Sequence, residues 1–339
     1  MASALEAPSF ADVLDAKRRL GPHVVRTPLH LHAALAALVG TEVWVKHENH
    51  QVTGAFKARG GVNLVSQLGE EDRVRGVIAA STGNHGQSVA YGAEVFGVKA
   101  TVVVPEGANP VKIRAIQDRG AEVVIFGTDF DEAREHCQQL AEKHGIRYVH
   151  SGNEPLLIAG VATAALEILE DRPDVDVIIV PIGGGSGAAG ACIVANAVRP
   201  AIEVIGVQSE AAPAAYRSWR ERSLLEDRMG TAAEGLATRV AFELPQRILW
   251  ERLDDFVLVS EDEIQRATVS MIETTRNLVE PAGASPLAAA IKLRERLAGR
   301  RVALVASGGN MTVDQLRALL AEDEGISVRP LLPGSSAPR

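Results

Sequence analysis

Lys57 lies in the run Thr53-Gly54-Ala55-Phe56-Lys57-Ala58-Arg59-Gly60-Gly61, a lysine enclosed by small residues just after a strand-like segment. A primary amine can form a Schiff base with an aldehyde, and when neutral it can take a proton from carbon; a guanidinium does neither. The chain has seven lysines among its 35 basic residues, and the other 28 are arginine. A lysine held in such a setting in an arginine-rich chain therefore points to amine chemistry, against the alternative of a surface lysine at a helix start.

Three further turns could serve that amine. Ser81-Thr82-Gly83-Asn84-His85-Gly86-Gln87 carries hydroxyls, an amide and a helix start, where free backbone N–H groups favour an anion such as a carboxylate. An ordinary N-cap by Ser81 or Thr82 is the competing explanation. Gly183-Gly184-Gly185-Ser186-Gly187 follows an apolar run and suits a backbone that wraps a phosphate at a helix N-terminus. Gly185, Gly187 and Gly190 also meet the G-x-G-x-x-G spacing, with Glu210 after the next strand, so a dinucleotide-binding fold is a competitor. Ser307-Gly308-Gly309-Asn310 closes the last strand-like run and puts a hydroxyl at its C-terminal edge. There is no G-x-S-x-G elbow and no G-x-x-x-x-G-K-[ST] loop. His47 and His50 stand three apart, not as H-E-x-x-H, so a metalloprotease is not supported.

The elements that must position these turns alternate along the chain. Apolar runs at 41–47, 76–80, 100–104, 121–126, 146–150, 176–181, 203–207 and 302–306 read as strands. Longer amphipathic stretches at 84–97, 129–144, 156–170, 187–198, 261–278 and 284–298 read as helices. Strands apolar on both faces and separated by helices predict parallel sheets covered on both sides. The length predicts two α/β lobes with a cleft between them. A small mobile lobe is expected over 53–153, a large discontinuous one over 1–52 and 154–322, and a Pro/Ser-rich tail over 323–339 that frays. The Arg/Glu-rich segment near 217–228 reads as an exposed helix or loop.

Composition narrows the function further. A net charge of −8 and only 13 aromatic residues argue against nucleic acid as a partner. No apolar run approaches the ~20 residues of a bilayer span and no secretory signal opens the chain, so a cytoplasmic location is expected. Cys137 and Cys192 make no disulfide framework and no metal-ligand spacing.

In this order and spacing the four turns resemble the fold-type II family of pyridoxal-phosphate enzymes, of tryptophan synthase β-like fold, and within it the threonine/serine dehydratase and serine racemase branch. The resemblance covers about residues 10–322 and is carried by TGAFKARGG at 53–61, STGNHGQ at 81–87, GGGSG at 183–187 and SGGN at 307–310. It implies two three-layer α/β/α lobes with pyridoxal 5'-phosphate in the cleft and a homodimer. Lys57 would carry the cofactor as a Schiff base and act as the catalytic base, with Phe56 beside the ring and Asn84 on the phenolic oxygen. Gly183, Gly184, Gly185, Ser186 and Gly187 would hold the phosphate, and Ser307 would face the pyridine nitrogen. Ser81, Thr82, Asn84 and His85 would grip the substrate carboxylate. The implied activity is an ammonia-lyase converting L-threonine, L-serine or a larger 3-hydroxy amino acid to a 2-oxo acid and ammonia. A racemase or a β-replacement enzyme of the same family is the nearest rival, then an NAD-binding oxidoreductase or a non-catalytic binding protein.

Several positions depart from the family pattern. Ala55 and Thr82 change the volume beside the substrate, and Val161 stands where a polar residue is commoner. Ser186 replaces a glycine and Glu234 an aspartate. No metal is expected at the racemase-like cation site, where Glu210 is present but Tyr216 stands in place of a second acid. The short stretch after the last strand leads to the expectation of no regulatory C-terminal domain.

Overall fold

The computed structural model describes residues 5–323; the tail expected beyond Asp323 lies outside the described residues. In chain order the elements are α1 (Phe10–Leu20), β1 (Leu29–Leu31), α2 (Ala33–Val39), β2 (Glu42–His47), α3 (Lys57–Ser66), α4 (Glu70–Arg75), β3 (Val77–Ala80), α5 (Asn84–Phe96) and β4 (Ala100–Val104). They continue with α6 (Pro110–Gln117), β5 (Glu122–Ile125), α7 (Phe130–His144), β6 (Arg147–Tyr148), α8 (Pro155–Asp171), β7 (Val177–Pro181), α9 (Ser186–Val198), β8 (Glu203–Ser209) and α10 (Ala214–Glu221). The last are α11 (Glu243–Arg252), β9 (Asp255–Val259), α12 (Glu261–Thr275), α13 (Pro281–Lys292), α14 (Arg294–Leu297), β10 (Arg301–Ala306) and α15 (Val313–Asp323).

Two sheets result. One has six strands in the order β1-β2-β10-β7-β8-β9, parallel except for the antiparallel β1 edge; the other has four parallel strands in the order β5-β4-β3-β6. In the larger sheet Val177 and Ile179 join one apolar cluster while Ile178 and Val180 join another. The smaller sheet divides likewise, with Val77 and Ala79 on one face and Ile78 and Ala80 on the other. Period-2 alternation between two dry faces is why these strands read as continuous apolar runs.

All eight predicted strands are present; β1 and β9 are additional, both at sheet edges. The six predicted helices form too, but the stretch 284–298 begins earlier, at Pro281, and breaks at Leu293 into α13 and α14. The Arg/Glu-rich segment includes α10, which lays Tyr216 and Trp219 against the core.

Helix α3, which Lys57 opens, is clamped from two sides. A Cβ at Gly61 would meet the Ser88 carbonyl oxygen of α5 at 2.1 Å, and one at Gly160 of α8 would meet the Arg59 carbonyl oxygen at 2.4 Å. Glycine is required there because backbones touch. Among the described residues no helix is long and apolar enough to cross a membrane.

Candidate active site

The topology brings the four turns together. Ser81 follows β3, the glycine loop follows β7 and Ser307 follows β10, so three turns lie at C-terminal ends of parallel strands. In β5-β4-β3-β6 the direction of winding reverses at β3, and ligand crevices form outside such switch points. The fourth turn is laid directly on the first. The Phe56 N–H donates to the Ser307 carbonyl at 2.9 Å, the Gly309 N–H donates to the Gly54 carbonyl at 2.9 Å, and Ala55 forms an antiparallel bridge with Gly308.

Lys57 Nζ donates to the Ser151 carbonyl and to the Ser186 hydroxyl, each at 3.0 Å. It has no carboxylate partner among the described residues, and burial lowers its pKa to about 8. The Phe56 ring centroid lies 5.4 Å from the same nitrogen. The Ser151 carbonyl is held in place because His150 Nδ1 accepts from the Gly152 and Asn153 N–H groups at 3.0 and 2.9 Å.

The glycine loop has the features of an oxyanion cradle. Gly185 has φ +86°, a left-handed conformation suited to glycine, and it caps α9 without any side-chain bond, which leaves the first-turn N–H groups to a ligand. A Cβ at Gly183 would lie 2.2 Å from the Gly235 carbonyl oxygen, and one at Gly184 would lie 2.2 Å from the Phe242 ring. Helix α5 is likewise uncapped by a side chain at Gly83. Ser81 Oγ accepts from the Gly83 N–H at 3.2 Å, which shapes the turn.

Asn84 sits in a chain of amides across the cleft. Asn310 Nδ2 donates to the Thr53 carbonyl and to Asn84 Oδ1, both at 2.7 Å, and Asn84 Nδ2 donates to Glu280 Oε1 at 2.8 Å. This fixes the orientation of the Asn84 amide and leaves its second amide hydrogen for a ligand. Burial raises the Glu280 carboxyl to about 6, although the Asn84 bond and Lys112 oppose the rise. His85 Nε2 bonds the Val149 carbonyl at 3.1 Å, while its Nδ1 is buried without a partner. Burial, with the Lys57 charge nearby, drives its pKa down to about 3, so the ring is neutral. With Nε2–H donated to Val149, the ring offers only a lone pair, and an incoming carboxylate would meet the backbone N–H groups of this turn instead.

The cleft, about 330 Å³, is lined by Lys57, Ser81, Asn84, Ser186, Glu280 and Ser307 among others, and Thr82 and the loop Gly183–Gly187 share its wall. Sequence reasoning passed over Glu280, Ser151, Phe242 and the amide role of Asn310. The signal at Glu280, an acid before Pro281 at a helix start, reads only as a cap. Glu210 lies 3.7 Å from Lys292 Nζ, and Tyr216 packs edge-on against Phe256.

Residues 20–308 match the family described as pyridoxal-phosphate dependent enzyme. The chain is 40% identical over 309 residues to an L-threonine ammonia-lyase of Thermotoga maritima, covering 91% of this chain and 77% of that protein. It is 35% identical over 325 residues to a catabolic L-threonine dehydratase of Staphylococcus aureus, covering 94% and 93%. The solved serine racemase from Dictyostelium discoideum superposes with a TM-score of 0.86 at 34% identity, covering 90% of this chain and 99% of that one.

Proposed function

The chain belongs to the pyridoxal-phosphate dependent enzymes and has their fold-type II architecture, and on that premise we propose that it is an ammonia-lyase acting on a 3-hydroxy L-amino acid such as L-threonine or L-serine. The observation that carries this reading is Lys57 Nζ, held against a carbonyl and a hydroxyl with no anion among the described residues to hold its proton.

The residues fit the cofactor. The uncapped α9 N-terminus with Gly183, Gly184, Gly185, Ser186 and Gly187 would hold its phosphate, and Lys57 would be its covalent attachment point. Phe56 would flank the ring, Asn84 would give its second amide hydrogen to the phenolic oxygen, and Ser307 would meet the ring nitrogen. A hydroxyl there, unlike a carboxylate, would not hold that nitrogen protonated. When bound, pyridoxal phosphate supplies an electron sink for bond breaking at the substrate α-carbon.

The chain's own part is positioning and proton transfer. Free N–H groups at the α5 start, with Ser81 and Thr82, receive the substrate carboxylate. Lys57 Nζ, once free, takes the α-proton as general base. Net loss of the α-hydrogen and β-hydroxyl as water, followed by hydrolysis, releases the 2-oxo acid and ammonia. The lobe over 53–153 would close on the rest of the chain, with Asn84–Glu280 and the ion pair Lys112–Glu234 as its cross-cleft contacts. A homodimer and a cytoplasmic location belong to the same proposal; the first follows the family resemblance, and two free buried cysteines suit a reducing compartment.

The test is a panel of 3-hydroxy amino acids assayed for 2-oxo acid, with D-serine measured alongside pyruvate from L-serine. Release of 2-oxo acid is expected. D-serine without pyruvate would replace the lyase reading with the racemase one, which the likeness to serine racemase makes the relevant rival.

A further inference from the structure

At the β1 edge of the larger sheet, three strands away from β7, β1 and its neighbour bring three histidines onto one face. In the antiparallel register His30 pairs with Val45, so His30 and His32 share a face with Val43, Val45 and His47. One ring nitrogen from each of His30, His32 and His47 lies within 4.8 Å of the others, and His32 Nε2 and His47 Nε2 are 3.1 Å apart. Among the described residues this is the one group of three or more His, Cys, Asp or Glu side chains close enough to share an ion. We propose that His30, His32 and His47 form a binding site for a borderline divalent transition-metal cation of the zinc class, with solvent as the fourth ligand.

The distances fit. Zinc–imidazole bonds of ~2.0–2.1 Å in a tetrahedron put ligand nitrogens ~3.3 Å apart, close to the observed 3.1 Å for His32 and His47. His30 is the exposed member, and its ring nitrogen lies within 4.8 Å of the other two. The backbones are pinned: the His32 N–H donates to the Val43 carbonyl at 3.1 Å and the His47 N–H to the Pro28 carbonyl at 3.0 Å.

The outer shell is built as well. His47 Nδ1 bonds Asn49 Oδ1 at 3.3 Å, and Asn49 Nδ2 donates to the Leu278 carbonyl at 3.1 Å. With its hydrogen on Nδ1, His47 keeps the Nε2 lone pair directed at the other two rings, the orienting arrangement typical of metal-bound histidine. The His50 ring stacks on His47 with centroids 5.1 Å apart and is held by Asn277. Three imidazoles without a thiolate or carboxylate favour zinc-class ions over calcium or magnesium. The bound ion would tie the short edge strand β1 to the end of β2, just before the segment that delivers Lys57.

The test uses holoenzyme stripped with a chelator and titrated with Zn²⁺ alone, by calorimetry and by competition with a chromophoric chelator. One equivalent per chain is expected. His30→Ala/His32→Ala should lose that equivalent with its cofactor absorbance intact, and Asn49→Ala should bind ~10–100-fold more weakly. X-ray absorption of the complex should show imidazole nitrogen ligands, and Zn²⁺ should raise Tm in the wild type and not in the double histidine variant. Absence of stoichiometric binding, or an equivalent that survives in the double histidine variant, would overturn the assignment.

Discussion

Glu167→Gln tests whether a buried charge network is what sets the position of Lys57. Glu167 on α8 accepts from Lys46 Nζ at 2.6 Å and from both terminal nitrogens of Arg59, at 2.7 and 2.8 Å. Glu48 accepts from Arg59 Nε and a terminal nitrogen at 2.8 Å each, and from the Thr27 hydroxyl at 2.5 Å. All four ionic side chains are 7% exposed or less. Burial is the largest single influence and raises the Glu48 carboxyl, but Arg59, Lys46 and the Thr27 hydroxyl together outweigh it and hold the group below the ordinary range. Two cations and two anions balance, and Arg59 lies two residues past Lys57 on α3. The glutamine variant removes one anion, leaves Lys46 and Arg59 facing each other with a single carboxylate, and turns an amide N–H₂ toward donors. Opposite charges ~4 Å apart at an effective dielectric of ~20 attract by ~4 kcal/mol, and breaking a buried pair costs ~3–5 kcal/mol. With a urea m-value of ~3 kcal/mol/M, the denaturation midpoint should fall by ~1–1.7 M. Lys46→Met/Glu167→Leu removes one charge of each sign and leaves Arg59–Glu48 paired, so it should recover at least half of that loss. A glutamine variant within ~1 kcal/mol of wild type, or a double variant as damaged as the single, would refute the network's role.

Other predictions concern the site itself. Lys57→Ala and Lys57→Arg should both lack the yellow absorbance band and 2-oxo acid release, because arginine keeps the charge but not the nucleophilic amine; retained turnover in either is the contrary result. Reconstitution of apoenzyme with pyridoxal phosphate should accelerate with pH and level off above about 8, since Lys57 titrates there and not near 10.5. The sign for stability follows from linkage. The unfolded chain holds this proton up to a higher pH, so the penalty of burying the charge is full below about 8 and is relieved as pH rises toward 10.5; chemical denaturation of the apoenzyme across that window measures it. Gly183→Ala places a methyl 2.2 Å from the Gly235 carbonyl and should cost ~1–3 kcal/mol with lost cofactor retention. Gly69→Ala, with open space around its Cβ, should leave absorbance and midpoint unchanged.

What was legible in the sequence divides along physical lines. Strands β3, β7 and β10 are dry on both faces, so they show as apolar runs whatever their partners. Strands β1 and β9 are edges, the first only three residues long with a central histidine, and edge positions impose no comparable pattern. The glycine loop was visible because a left-handed residue and close backbone approaches require glycine itself. Glu280 and the Asn310 amide were not, because their meaning depends on partners 196 and 226 residues from them along the chain, both at Asn84. The histidine face escaped for the same reason: the local spacing of His47 and His50 drew attention, while the partners that approach His47 Nε2 come from β1 and the turn after it.

The contrast between Lys46 and Lys57 shows what turns a lysine into a reactive amine. Lys46 is fully buried and Lys57 partly so in the cleft wall, and burial lowers both pKa values. Lys46 faces Glu167 at 2.6 Å and the Thr27 carbonyl at 2.6 Å, so its charge is neutralised in place and its nitrogen is occupied by structural bonds. Lys57 faces only a carbonyl and a hydroxyl, which solvate an ammonium without compensating it. A cation in that position is held only weakly against loss of its proton. At pH 7 a pKa of about 8 leaves roughly a tenth of the amines neutral, against roughly one in three thousand at 10.5. Burial without a counter-ion thus keeps this amine ready to react.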